Sequence, residues 1–267
     1  MSGLRIVVTG AAGRMGNALI RAIHEDPACE LAGAIEASGH SALGTDCGVM
    51  IGSNATGVVI TSEAETALSN ADALIDFTRP AVSVGLAKLS AEKHRVHVIG
   101  TTGFSPEDEQ QIEAAAQGTV IVKSGNMSLG VTLLAALVER AARALPDFDV
   151  EILEMHHRMK TDAPSGTALL LGEAAARGRS TALESDAGRA GQTGPRRPGS
   201  VGFASLRGGT VVGEHEVILA GPHERIVLGH VAEDRTIFAR GAIAAAKWGK
   251  NRKPGLYGMA DVLGITE

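Results

Sequence analysis

At 267 residues with 44% hydrophobic side chains, the chain is long enough for two modest domains with real cores. Its net charge of −5 argues against a general nucleic-acid binder, and no apolar run reaches the roughly 18 residues a membrane span needs. Cys29 and Cys47 are the only cysteines, too few for a disulfide scaffold; the chain enters a strand directly without a signal-peptide pattern, so a reduced, cytoplasmic protein is expected.

Leu4 to Thr9 reads as a mostly apolar strand, Gly10-Ala11-Ala12-Gly13-Arg14-Met15-Gly16 as a glycine-rich turn, and Asn17 to His24 as a helix. Strand, glycine turn and helix in that order are the context of a dinucleotide fingerprint, although the spacing is G-x-x-G-x-x-G. The next strand, Glu30 to Ile35, ends at Glu36, about twenty residues beyond Gly16, where an acidic side chain accepts hydrogen bonds from ribose hydroxyls. Ala37 follows, and no basic side chain stands beside Glu36 to take the 2′-phosphate of NADP, so the balance leans to NADH.

Further units of the same kind follow. Val58 to Ile60 is a short apolar run, and Ala73 to Phe77 a strand ending at Thr78-Arg79-Pro80, with Pro80 suited to a first helical turn. Val96 to Ile99 ends in Gly100-Thr101-Thr102-Gly103, and Ser105-Pro106-Glu107-Asp108 carries a cap, a first-turn proline and acids. Thr119 to Val122 ends in Lys123-Ser124-Gly125-Asn126-Met127. Alternating strands and helices predict a parallel sheet with ligands at the carboxyl ends of its strands, where all these loops fall.

Leu129 to Leu145 is a long apolar-rich helix, followed by the strand Val150 to Met155 and the polar stretch Glu154 to Thr167. Successive side chains of a strand point to opposite faces, so His156 and His157 are expected to do different jobs. Adjacent residues that diverge do not share an ion, and no metal is expected. Pro164-Ser165-Gly166-Thr167 opens a helix whose free amides suit a carboxylate, and Arg158 and Lys160 add positive charge. The stretch therefore predicts an anionic, carboxylate-bearing substrate. Arg177 to Ser200 reads as a long, partly mobile loop. Val201 to Leu206, Thr210 to Ala220 and Arg225 to Glu233 read as strands joined by short turns, which suggests an antiparallel sheet. One helix on a modest sheet leaves a face to cover, so self-association is expected. Thr236 to Trp248 is helical, and the tail from Pro254 is expected to return to the first domain.

The expected fold is α/β: an N-terminal Rossmann-like parallel sheet domain (residues 1–127 and 236–267) and a C-terminal α+β domain (128–235) with a mixed or antiparallel sheet for substrate binding and oligomerisation.

The chain resembles the dihydrodipicolinate reductase family over nearly its full length, in Val8 to Gly16, Asp76 to Pro80, Gly100 to Phe104, Glu154 to Thr167 and Val212 to His215. The resemblance implies reduction of a cyclic imine-type dicarboxylate of lysine and diaminopimelate biosynthesis by a reduced nicotinamide, in a homotetramer whose domains close over both ligands. It implies His156 and Lys160 as the catalytic pair, and His157, Lys160, Gly166 and Thr167 as substrate-binding residues. Cofactor contacts are implied for Gly10, Ala11, Ala12, Gly13, Arg14, Met15, Glu36, Gly100, Thr101, Thr102, Ser124, Gly125, Asn126 and Met127. Ala37 stands where some members carry Arg, which leaves NADH and NADPH both open, and Met127 where some carry an aromatic residue. Two other readings fit the residues less well. A reductase of another small amino or keto acid is one; its semialdehyde version needs a reactive cysteine, which neither Cys29 nor Cys47 is placed to be. A non-enzymatic nucleotide sensor is the other, and it would not need Lys160 beside His156.

Overall fold

The computed structural model describes residues 3–265, which form two compact units. One takes residues up to Ser128 and again from Thr236, the other Leu129–Arg235.

The first unit opens with β1 (Leu4–Thr9), α1 (Arg14–Glu25), β2 (Cys29–Ile35), α2 (Cys47–Met50), β3 (Ile60–Thr61), α3 (Ala64–Ser69) and β4 (Ala73–Asp76). It continues with α4 (Pro80–Glu92), β5 (Val96–Ile99), α5 (Pro106–Ala116) and β6 (Val120–Lys123). Strands β4 and β5 are buried at every residue, as strands covered by helices on both faces must be. Pro80 supplies the first turn of α4. In α5 the Ser105 hydroxyl accepts from the Asp108 amide while the Asp108 carboxylate accepts from the Ser105 amide, so two otherwise unpaired donors are satisfied reciprocally.

The second unit runs α6 (Leu129–Ala144), β7 (Asp149–His156), α7 (Gly166–Gly178), β8 (Ser185–Ala187), β9 (Val201–Arg207), β10 (Gly213–Gly221) and β11 (Glu224–Ala232). Its sheet order is β11-β10-β7-β9-β8. The three consecutive strands do not make one antiparallel meander. Only β10 and β11 form a hairpin; β7 lies between β9 and β10, parallel to β9 and antiparallel to β10. The helix α7 between β7 and β9 is the cause, since it provides the crossover a parallel pair requires. Helices α6 and α7 pack together over a core that includes Leu134, Val138, Leu171, Ile152, Val201, Val217 and Leu219.

Residues 177–200 are more ordered than a free loop. Helix α7 extends to Gly178, and β8 pairs with β9. Arg189 and Arg196 both pair with Glu151, at 2.7 and 2.8 Å, and Arg196 also with Asp149 at 3.0 Å. These arginines hold the segment to β7.

The chain then re-enters the first unit through α8 (Thr236–Gly249), β12 (Gly255–Tyr257) and α9 (Met259–Leu263). Strand β12 adds in parallel beside β6, which completes an all-parallel sheet of order β12-β6-β5-β4-β1-β2-β3. The architecture is a Rossmann-like unit joined to an α+β unit with a mixed sheet. No described helix is long and apolar enough to cross a membrane.

Candidate active site

In the first unit the turn from β1 to α1 is shaped by what its glycines lack. Gly10 has φ +64°, in the left-handed region that only glycine enters freely. A β-carbon on Gly16 would overlap the Gly10 carbonyl oxygen and the Ala11 backbone. Asn17 braces the turn by donating to the carbonyls of Ala11 (3.2 Å) and Gly13 (2.9 Å). Buried Ala11 donates to the Ile35 carbonyl at 3.1 Å, which ties the turn to β2. Helix α1 has no side-chain cap at Gly13, and an uncapped helix start is what an anion site requires.

The Glu36 carboxylate lies against this turn. It accepts from the Ala12 amide at 3.1 Å and from the Ala37 amide at 3.0 Å, with lone pairs left for ligand hydroxyls. A 390 Å³ cavity here is lined by Gly10, Gly13, Glu36, His40, Thr78 and Arg79 among others. The glycine cradle, the uncapped helix and the fixed carboxylate fit a dinucleotide. Thr78 and Arg79 lie in a strand-end loop that the sequence places at a ligand site, whereas His40 enters this cavity without a sequence signal. Thr78 is held by Asp76, a wholly buried carboxylate that accepts from the Thr78 amide (2.9 Å) and hydroxyl (2.6 Å).

The loops after β5 and β6 form a second group on neighbouring strands and do not line that cavity. Gly100 carries no β-carbon because the Phe77 ring occupies its place. Thr101 is buried and bonded to the Ser83 hydroxyl at 2.9 Å, while Thr102 and Gly125 are exposed and adjacent. Ser124 donates to the Asn126 carbonyl at 2.7 Å and shapes its own turn. Met127 is 1% exposed and packed inside the unit, with its carbonyl against Gly241, so its side chain is not offered to a ligand.

In the second unit β7 delivers His156 and Glu154 to the same face, as residues two apart on a strand must lie. That face is the covered one, and Glu154 is 1% exposed. His156 Nδ1 stands 2.6 Å from Glu154 Oε2. Arg207, the register neighbour of His156 on β9, grips Glu154 with both terminal nitrogens at 2.8 Å. Burial works to raise the Glu154 pKa, but hydrogen bonds from Arg207, Ser205 and His156 outweigh it and hold the carboxyl at about 2. Burial likewise lowers His156, against the upward pull of Glu154.

His215 on β10 packs edge-on against His156 with ring centroids 5.1 Å apart. A hydrogen bond of 3.0 Å joins its Nε2 to the Ser165 hydroxyl. Burial pushes His215 down to about 4, so this imidazole is neutral near pH 7. Ser165 caps α7 by accepting from the Ala168 amide at 3.1 Å. Gly166 and Thr167 follow as the first residues of the helix, Gly166 exposed and Thr167 half-buried. The Lys160 ammonium meets both Asp162 carboxylate oxygens, at 2.7 and 2.8 Å. His157 leaves the strand on the other side, and Arg235 stands 3.1 Å from its Nε2. One unit thus brings together a histidine paired with an ionised carboxylate, a lysine and the first two residues of a helix capped by Ser165. That set can donate a proton and hold carboxylates.

The roles of Glu154, Arg207, Ser165 and His215 were missed from sequence. Glu154 had a local signal, its spacing of two from His156 on a strand. Arg207 had none, and His215 stood only at the end of a segment that carries the family resemblance, because the contacts of both depend on which strands pair. Among the described residues no cluster of three or more His, Cys, Asp or Glu side chains is placed to hold a metal ion.

Two family models match the chain: one described as dihydrodipicolinate reductase, N-terminus, over residues 4–127, the other as dihydrodipicolinate reductase, C-terminus, over residues 130–263. A 4-hydroxy-tetrahydrodipicolinate reductase of Parvibaculum lavamentivorans is 61% identical over 266 residues, covering 98% of both chains. One of Methylocella silvestris is 58% identical over 270 residues, covering 100% of this chain and 99% of the relative. Among solved structures, a dipicolinate-bound dihydrodipicolinate reductase from Paenisporosarcina sp. TG-14 superposes with a TM-score of 0.79, at 22% identity and covering 97% of this chain and 98% of that one.

Proposed function

The chain belongs to the dihydrodipicolinate reductase family, and from that premise we propose that it reduces 4-hydroxy-tetrahydrodipicolinate to tetrahydrodipicolinate with NADH or NADPH, in lysine and diaminopimelate biosynthesis. The observation that carries the reading is a buried, ionised Glu154 paired with His156 at the end of β7, just before the turn that holds Lys160 and the start of α7. A reduced nicotinamide, when bound, supplies the hydride to the substrate ring. Unit one holds the nucleotide: Gly10 to Met15 cradle the pyrophosphate, Glu36 takes the ribose hydroxyls, and Gly100 to Thr102 with Ser124 to Met127 take the rest. His157, Lys160, Gly166 and Thr167 bind the substrate carboxylates through cations and helix-start amides. His156 gives the proton that completes the reduction, and the Lys160 charge stabilises the electron density that builds up in the ring.

NADH is the favoured donor. Ala37 offers no cation beside Glu36, although Arg79 and His40 in the same cavity give a 2′-phosphate some partners. The semialdehyde-dehydrogenase reading loses further ground, because burial pushes the Cys47 thiol up to about 11 and raises Cys29 as well. The enzyme works in the cytoplasm as a homotetramer built through the second unit's sheet. In support, helices cover one face of that sheet, while Leu206, Val227 and Val231 on the other are 48%, 49% and 62% exposed.

The test is oxidation of NADH and NADPH, side by side, with freshly generated substrate. Oxidation of both, faster with NADH, is expected; no oxidation with either rejects the reading.

A further inference from the structure

We propose that Glu154 is the positioning residue of this site: a single buried carboxylate that fixes the tautomer of His156 with one oxygen and the opening of α7 with the other. The proposal rests on the assignment of His156 as proton donor. Glu154 Oε2 accepts from His156 Nδ1 at 2.6 Å, while Oε1 accepts from the Ser165 amide at 3.3 Å. Ser165 is the residue that caps α7 immediately before Gly166 and Thr167. The proton donor and the carboxylate-binding turn are therefore fixed to the two ends of one functional group.

A buried carboxylate holds its charge only when it is paired. Arg207 does this with two bonds of 2.8 Å, and the same guanidinium donates to the Asp162 carbonyl at 2.7 Å. Asp162 is in turn the carboxylate that holds Lys160. Arg207 therefore extends the reach of Glu154 to the turn that carries the lysine.

An ionised carboxylate has no proton to donate. The short contact therefore requires that the hydrogen sit on His156 Nδ1, which leaves Nε2 as the atom that gains and loses the catalytic proton. Gly213 leaves room at that atom, since a β-carbon there would stand 3.0 Å from Nε2. When the proton passes from Nε2 to the substrate, the ring becomes neutral with Nδ1–H still bonded to Glu154. The carboxylate itself gains no proton, and Nε2 is reprotonated from water.

The charges facing His156 are Glu154 on β7, Arg207 on β9, Lys160 in the turn and neutral His215 on β10. Glu154 favours the imidazolium; Arg207 and Lys160 oppose it. Without the carboxylate the acid form is lost at lower pH. A neighbouring opposite charge moves a pKa by about 1–3 units. In Glu154→Gln the high-pH limb of kcat should therefore move down by about one to two pH units.

Three measurements decide the proposal. In wild-type protein above the His156 titration, histidine ¹⁵N spectra should show Nδ1 protonated and Nε2 bare; the opposite tautomer overturns it, whatever the variants do. In Glu154→Gln the limb should shift with NADH affinity unchanged; lower activity with an unmoved limb is a packing effect and also overturns it. In Glu154→Gln/His156→Gln the losses should be less than multiplied, because the Oε2 half of the role acts through the ring, and what remains should appear as a raised KM from the α7 opening; fully multiplied losses in kcat contradict it. Wild-type turnover in His156→Gln alone would sink the donor assignment instead, and the ¹⁵N result would still decide what Glu154 does.

Discussion

Around Gly10 to Gly16 the proposed nucleotide surface is made of backbone: glycines without β-carbons, a helix start without a cap, and one carboxylate held by two amides. Around His156 the proposed substrate surface is made of side chains: Glu154, Arg207, Ser165 and His215, drawn from three strands and a helix cap. The two surfaces should fail in different ways. A backbone surface depends on close approach and carries few groups that titrate near neutrality, so it should respond to added atoms and little to pH. A side-chain surface depends on charge state and geometry, and should respond to both.

The largest effect on nucleotide binding is expected at the backbone surface. In Gly16→Ala the added methyl meets the Gly10 carbonyl and the Ala11 backbone, neither of which is a side chain that can rotate away. Overpacking of this kind costs about 1–3 kcal/mol, so NADH binding, read by fluorescence titration, should weaken about tenfold to a hundredfold. Wild-type affinity would show that the turn is not a close-approach cradle.

The same substitution in the other surface sharpens the contrast. Gly213→Ala sets a methyl against His156 Nε2, a ring held from behind by Glu154. Small misplacements of a reacting group are costly, and turnover should fall about tenfold with NADH affinity unchanged. A fall in NADH affinity instead would mean that the two surfaces are not independent.

The smallest effect is a dependence on pH. His215 is held at about 4 in the folded protein against an ordinary value of 6.5. The unfolded chain therefore binds more protons between those values, and stability falls as pH drops from 6.5 towards 4. Glu154, lowered from 4.5 to about 2, extends the loss in the same direction at lower pH. His215→Gln removes the first contribution, so its melting temperature should fall by a few degrees less than wild type over that window. Parallel curves would show that His215 is not the group responsible.

The contrast also explains what could be read from the sequence. The glycine turn, Glu36, Pro80 and the Ser105 cap are local patterns, each set by residues within a few positions of one another or at a known interval. Within Glu154 to Thr167 the histidines, the lysine and the helix start were legible for the same reason. Arg207 lies 53 residues from Glu154, and His215 lies 50 from Ser165. Their places follow from β7 lying between β9 and β10, and the sequence order of the strands suggested a simple meander instead. Met127 shows the same limit from the other side: a residue at a loop position whose side chain packs inward.

The separation of nucleotide holding from proton chemistry is tested most directly by Lys160→Ala, with NADH binding and turnover measured on the same preparation. Lys160 lies wholly in the second unit, and its charge is bound to Asp162 there. NADH affinity should stay within about twofold of wild type, while turnover of freshly generated substrate should fall by about a hundredfold or more. Turnover like that of wild type, or a loss of NADH binding in step with turnover, would contradict it.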